Sequence, residues 1–209
     1  ACAPYRRLHL CHHNLESIET NNYDSDNAKH NLLAEVCMAA KYEGDLIKTH
    51  HRQHQLTYPD SASELCTVLA RSFADIGDIV RGRDLFYGNT QEKTKREQLD
   101  DKLKEVFGKI HSGLTGSAKD HYKDENGGNY YKLREDWWNA NRETIWKALT
   151  CEAPEHASYF RQTCNDDGTS SNANHKCRCK NKKVTNETDQ VPTYFDYVPQ
   201  YLRWFEEWA

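Results

Sequence analysis

Apolar positions recur at three- and four-residue intervals through most of the chain, a spacing that predicts helices rather than strands. Between Asn27 and Thr49 the set Leu33, Val36, Cys37, Ala40 and Ile47 draws one buried stripe. A second helix is announced by Pro59-Asp60-Ser61-Ala62-Ser63-Glu64, where Ser61 can accept from the third helical amide while Glu64 reaches back, a capping box. Its inward face is Leu65, Leu69, Phe73, Ile76 and Val80, and Gly82 is the expected stop. From Gln91 to Ile110 the positions Leu99, Leu103, Val106, Phe107 and Ile110 share one side, and the mixed acids and bases between them form a solvated face. Lys132 to Leu149 places Leu133, Trp137, Trp138, Ile145 and Trp146 where a core needs them. A last helix from about Pro199 shows Tyr201, Phe205 and Trp208 at four-and-three spacing. With no convincing alternating strand, the expected class is mainly α.

Two stretches interrupt this pattern. Residues 113–129 and 164–190 are rich in Gly, Ser, Asn, Asp and Lys and cannot bury enough apolar area to offset their ordering entropy. Both are expected to be long irregular surface loops. The second carries three cysteines, so it is expected to be tethered to the core. No internal repeat is present.

Composition sharpens the picture. A chain of 209 residues has room for one large domain or two small ones. Its 12 Tyr, 6 Phe and 5 Trp point to a core built from aromatics. The longest apolar stretch, Leu32 to Ala40, is interrupted by Glu35 and is about half the length of a bilayer span. No membrane crossing is expected. No charged-then-apolar leader opens the sequence, and both ends are abrupt, so it reads as part of a longer protein.

Eight cysteines, Cys2, Cys11, Cys37, Cys66, Cys151, Cys164, Cys177 and Cys179, favour an oxidising compartment and a disulfide-stapled fold. Their connectivity stays open. Zinc would want Cys-x-x-Cys knuckles, and the one close pair is Cys177-Arg178-Cys179. A catalytic thiol would need a marked cysteine beside His, and no cysteine is marked out.

Other chemistry is sparse. There is no phosphate loop, dinucleotide glycine pattern, G-x-S-x-G elbow or H-E-x-x-H. His50, His51 and His54 lie close enough on a helix for two imidazoles to share a metal, but no third ligand follows at matching spacing, so they read as a polar helix end. His9, His12 and His13 read the same way. Trp137, Trp138 and Trp146 could stack a sugar or base, yet in an aliphatic-poor chain they read as core. The densest charge is Lys176, Arg178, Lys180, Lys182 and Lys183, five cations in eight residues without an acid. Such a run attracts polyanions, a sulfated glycan before a nucleic acid in an extracellular chain, or is a merely solvated loop. Asn186-Glu187-Thr188 is a formal glycosylation acceptor in the same stretch.

Five motifs in order resemble a Duffy-binding-like domain: CAPYRRLHLC from Cys2, LLAEVCMAAKYEGD from Leu32, SFADIGDIVRGRDLF from Ser72, WWNANRETIWKALTC from Trp137 and PTYFDYVPQYLRWFEEWA from Pro192. More narrowly they resemble the alpha class of the erythrocyte membrane protein 1 (var) adhesins of Plasmodium falciparum. The resemblance implies a disulfide-stapled helical fold with a partial N-terminal subdomain over 1–60, a helical second subdomain over 61–209 and an absent third. It further implies that Trp137, Trp138, Trp146, Tyr197, Trp204 and Trp208 are buried helix contacts. Arg6, Arg7, Arg81 and Arg142 fall in the shared motifs as candidates for structural ion pairs.

The function so implied is cytoadhesion: binding of a host cell-surface receptor or glycosaminoglycan such as heparan sulfate, with rosetting and antigenic variation as the setting. Neighbouring adhesin domains of the same polypeptide are further implied partners. The place implied is the extracellular face of the infected erythrocyte. No enzymatic activity, cofactor, metal, nucleic acid or membrane contact by this segment is expected. A second reading makes the domain an antigenically variable shield, with receptor binding done by its neighbours.

Overall fold

The predicted stripes become helices that pack around one central member. A computed structural model describes residues 2–11, 13–59, 64–123, 127–166, 169–179 and 191–208. Among them run α1 (Tyr5–Leu8), α2 (His13–Glu16), α3 (Ala28–Thr57), α4 (Leu65–Arg81), α5 (Thr90–Ser112), α6 (Gly116–His121), α7 (Tyr131–Leu149) and α8 (Gln200–Trp208). Short 3-10 turns occupy Thr20–Asn22 and Phe195–Tyr197. The class is mainly α, as the periodicity requires. Strands β1 (Cys164–Asp166) and β2 (Thr169–Ser171) pair antiparallel, with Cys164 opposite Ser171. Neither expected loop is therefore wholly irregular: one holds α6 and the other this small ladder.

Helix α5 follows its sequence closely. Asn89 accepts from the amides of Gln91 and Glu92 while the Glu92 carboxylate accepts from the Asn89 amide, a reciprocal cap that satisfies otherwise orphaned donors. Leu99, Leu103, Val106, Phe107 and Ile110 are all buried. Helix α4 departs from expectation at its start. It begins at Leu65 with Glu64 at the cap, in extended backbone and without a side-chain cap bond, so Glu64 is not the inner member of a capping box. Ser61 lies outside the described residues. Its end is as expected: Gly82 turns left-handed (φ 72°), and the amides of Gly82 and Arg83 donate to Ile79 and Asp78 carbonyls.

The hub is α7, against which α3, α4 and α5 pack. Trp138 and Trp146 are fully buried on either side of Phe73, with ring centroids 5.0 and 5.2 Å from it. Trp137 meets Phe107 edge-on at 6.0 Å. Two glycines let the helices come this close. A Cβ on Gly77 of α4 would lie 2.8 Å from the Trp138 ring, and one on Gly44 of α3 would overlap the Leu149 carbonyl oxygen. The first neighbour is a side chain, but the second is backbone at the end of a packed helix. Gly44→Ala is accordingly expected to lower unfolding free energy by about 1–3 kcal/mol, although alanine is the better helix former by roughly 1 kcal/mol. A denaturation midpoint at or above the parent's would mean that α3 and α7 separate without cost.

Candidate functional site

Helix α7 ends with carbonyls that have no partner within the helix. The basic run supplies them. Arg178 donates from Nη2 to the Lys147 carbonyl (2.7 Å) and from Nε to the Thr150 hydroxyl (2.7 Å), while that hydroxyl donates to the Trp146 carbonyl (2.8 Å). Lys176 donates from Nζ to the Cys151 carbonyl (3.1 Å) and lies 3.5 Å from Glu155, which also pairs with His175 at 2.9 Å. Cations belong at this end of a helix because the macrodipole is negative there. Partial burial lowers the Arg178 pKa from its ordinary value, against the opposing influence of Cys151 and Glu155. Lys176 and Arg178 therefore brace α7. Lys180, Lys182 and Lys183 lie outside the described residues.

The same segment is stitched down by sulfur. Cys177 bridges to Cys66 of α4 and Cys179 bridges to Cys164 of β1, with Cα separations of 5.5 and 5.4 Å. The Cys177 carbonyl accepts the Trp146 indole N–H at 3.1 Å. Tethering of the cysteine-rich stretch is thus what the structure contains, but bridging of all eight cysteines is not. Cys2, Cys11, Cys37 and Cys151 are free thiols. They stand on the N-terminal segment, α3 and the end of α7. Burial pushes the Cys37 thiol up to about 11; burial, with Glu43 adjacent, does the same for Cys11.

A buried ionic network ties the first helix to the last through α4. Arg6 meets Asp75 (2.8 Å) and Glu207 (2.9 Å), and Arg7 meets Asp84 (2.5 Å). Arg203 of α8 reaches both Asp75 (2.7 Å) and Asp78 (2.5 Å), while Arg81 pairs with Asp78 at 3.0 Å. Gln200 donates to Asp75 and Asp84 and accepts from the Leu85 amide. Further along, Asp196 takes Arg142 and the Trp138 indole N–H, each at 2.9 Å. All four arginines singled out in the sequence are in ion pairs. Burial raises the Asp75 pKa, but Arg6, Arg203 and Arg7 together outweigh it and hold the carboxyl below its usual range. At Asp78 burial wins over Arg203 and Arg81, pushing it up to about 6.

The acidic half of this network escaped the sequence reading. Helical periodicity places Asp75 and Asp78 on the side of α4 away from the Leu65, Leu69, Phe73, Ile76 and Val80 stripe, where acids read as solvated; α4 is buried on that side too, and a buried charge requires a partner. The consequence falls on α8. Its buried face is Gln200, Arg203 and Trp204, not the aromatic stripe. Tyr201, Phe205 and Trp208 are 52, 68 and 61% exposed, and Tyr197 is also exposed, so Tyr197 and Trp208 are not the buried contacts expected of them. Trp137, Trp138, Trp146 and Trp204 are buried.

Among the described residues no group of three or more His, Cys, Asp and Glu is arranged to hold a metal ion. The His54 ring lies against Tyr58 and the His9 ring against Tyr5; His12 is outside the described residues. No described helix is long and apolar enough to cross a membrane.

A family model for the Duffy binding domain matches residues 1–203. The chain is 23% identical over 214 residues to the beta form of the Duffy receptor of Plasmodium knowlesi, covering all of this chain and 14% of that protein. Among solved structures it is similar to the NTS-DBL1α-1 domain of PfEMP1 from the varO strain of Plasmodium falciparum, at 49% identity and a TM-score of 0.76, covering the whole chain and 43% of that one. The ICAM-1-binding DBLβ domain of PfEMP1 is 32% identical with a TM-score of 0.68, over 97% of this chain and 41% of that one. The chain spans less than half the length of each of these relatives.

Proposed function

The chain belongs to the Duffy binding domain family, and on that premise we propose that it is a non-enzymatic adhesion module that docks a host cell-surface receptor outside the infected erythrocyte, beside neighbouring adhesin domains. The observation that carries the reading is similarity along 97% of the chain to a PfEMP1 domain whose receptor is ICAM-1. The architecture supports it. Buried tryptophans, paired arginines and two bridges make a stiff scaffold, and polar segments joined to it are free to vary without disturbing the core.

For a sulfated glycan, the contact we propose is the run Lys176, Arg178, Lys180, Lys182 and Lys183. Its first two members also brace α7, so the test falls on the other three. Lys180, Lys182 and Lys183 reversed together to Glu are expected to reduce heparin affinity by about ten-fold or more, and added salt is expected to weaken the parent steeply. Retention unmoved by both would remove the basic run from the mechanism. Saturable binding to intact erythrocytes, a glycan array or immobilised endothelial receptors is expected of the domain. Its complete absence would overturn the adhesion reading in favour of an antigenic shield.

A further inference from the structure

Helix α3 outruns the body it packs on. Its buried residues end at Ile47, and none of those that follow, Lys48 to Thr57, is buried. Lys48 fixes the start of this projecting end through Asp45 (3.0 Å) and Glu152 (3.7 Å). Beyond it the helix carries His50, His51 and His54, and no acid occurs from Leu46 to Pro59. His50 and His54 are one turn apart on the same face, which brings their Cβ atoms to about 5–6 Å. Both are exposed, and neither imidazole has a hydrogen-bond partner among the described residues. The His54 ring lies against that of Tyr58, with centroids 5.1 Å apart, which restricts its rotation. His51 is half-buried and already has a partner. Arg52 stands two residues from each member of the pair, so it lies on another side of the helix and does not oppose a cation there.

Two imidazoles at this spacing make a chelate. The helical motif H-E-x-x-H holds zinc with two histidines one turn apart, and an imidazole nitrogen at about 2.0–2.1 Å is a favoured donor to that ion. Position favours a cation as well, because the last turn of a helix is the negative end of its macrodipole. We propose that His50 and His54 form a two-imidazole seat for a divalent transition-metal ion, zinc in the first place, at the projecting end of α3. Two donors are fewer than the four of a closed structural zinc centre, so the rest of the coordination shell faces outward, to water or to a side chain of a docked partner. This agrees with the lack of any three-ligand group among the described residues, and the ion is exchangeable and not part of what holds the fold. Calcium and magnesium prefer oxygen donors and are not suited to the pair. The seat goes beyond the adhesion reading and uses none of the basic run.

The probe is zinc chloride, titrated into the disulfide-intact domain after alkylation of the exposed Cys2, a competing thiol, while imidazole NMR signals and amide hydrogen exchange are followed. Saturable shifts of the His50 and His54 rings together are expected, and calcium at the same concentration should move neither. The ion binds the helical end of α3 and not its frayed form. At zinc about ten times the dissociation constant, exchange of the amides in the last turn of α3 should therefore slow about ten-fold, with α7 unchanged. His50→Gln and His54→Gln, both at exposed positions, are each expected to weaken binding about ten-fold or more with an unchanged circular dichroism spectrum, and His51→Gln to leave it as in the parent. No saturable shift, a shift of one ring alone, or either Gln variant binding like the parent overturns the seat. So does last-turn exchange unmoved at saturation, or an equal loss in His51→Gln, which would place the ion on another pair. No receptor or glycan enters these titrations, so the metal seat and the adhesion reading fail separately.

Discussion

Replacing Cys66 and Cys177 together by alanine is expected to lower stability by about 4–5 kcal/mol, against roughly 3 kcal/mol for the Cys164 and Cys179 pair. The asymmetry follows from chain entropy. The first bridge closes a loop of sequence separation 111 and the second one of 15, so the first removes more freedom from the unfolded chain. All four cysteines are buried, and what packing adds to the difference is the Cys177 carbonyl, which holds the Trp146 indole in the core. A domain's whole stability is about 5–15 kcal/mol, so the long-bridge variant should sit near its unfolding threshold at physiological temperature. Guanidinium denaturation of the two double variants beside the parent decides the matter. Coincident midpoints for the two, or no loss in either, would mean that these bridges do not restrain the unfolded state.

The contrast between α5 and α8 shows what periodicity can and cannot reveal. In α5 the partner surface is apolar, so the hydrophobic stripe and the buried stripe coincide at Leu99, Leu103, Val106, Phe107 and Ile110. In α8 the partner surface is the acidic pair Asp75 and Asp78, so the helix turns its arginine and glutamine inward with Trp204 and leaves Tyr201, Phe205 and Trp208 outside. Hydropathy along one helix carries no information about the charge of the helix it will meet. The cysteines repeat the lesson: their number announces covalent stapling, but pairing depends on where α4 and the 164–179 segment end up in space. A cavity of about 230 Å³ lined by Arg7, Leu8, Ile79, Phe86 and Leu103 is harder still to foresee, since its walls come from segments far apart in the chain. Even the basic run, plain in the sequence, gives no hint that Arg178 caps α7 while Lys176 holds the Cys151 carbonyl just beyond it.

Asp196→Ala is expected to cost about 3–5 kcal/mol, because it removes the acid from a buried ion pair, taking two bonds from the Arg142 guanidinium and the acceptor of the Trp138 indole. Both partners are buried within the helix packing, so bulk solvent does not replace those bonds. The cost should belong to the broken pair more than to the missing atoms. Adding Arg142→Met removes the buried guanidinium that Asp196 had paired and is expected to restore at least about 1 kcal/mol, so the double variant is more stable than the sum of the two singles. Asp196→Asn separates shape from charge: it keeps an acceptor for the indole and loses the ion pair. If urea unfolding gave strictly additive losses, or if Asp196→Ala fell within about 0.5 kcal/mol of the parent, the arginines of this domain would be ordinary polar contacts and not members of a coupled network that ties α7 to the 195–197 turn.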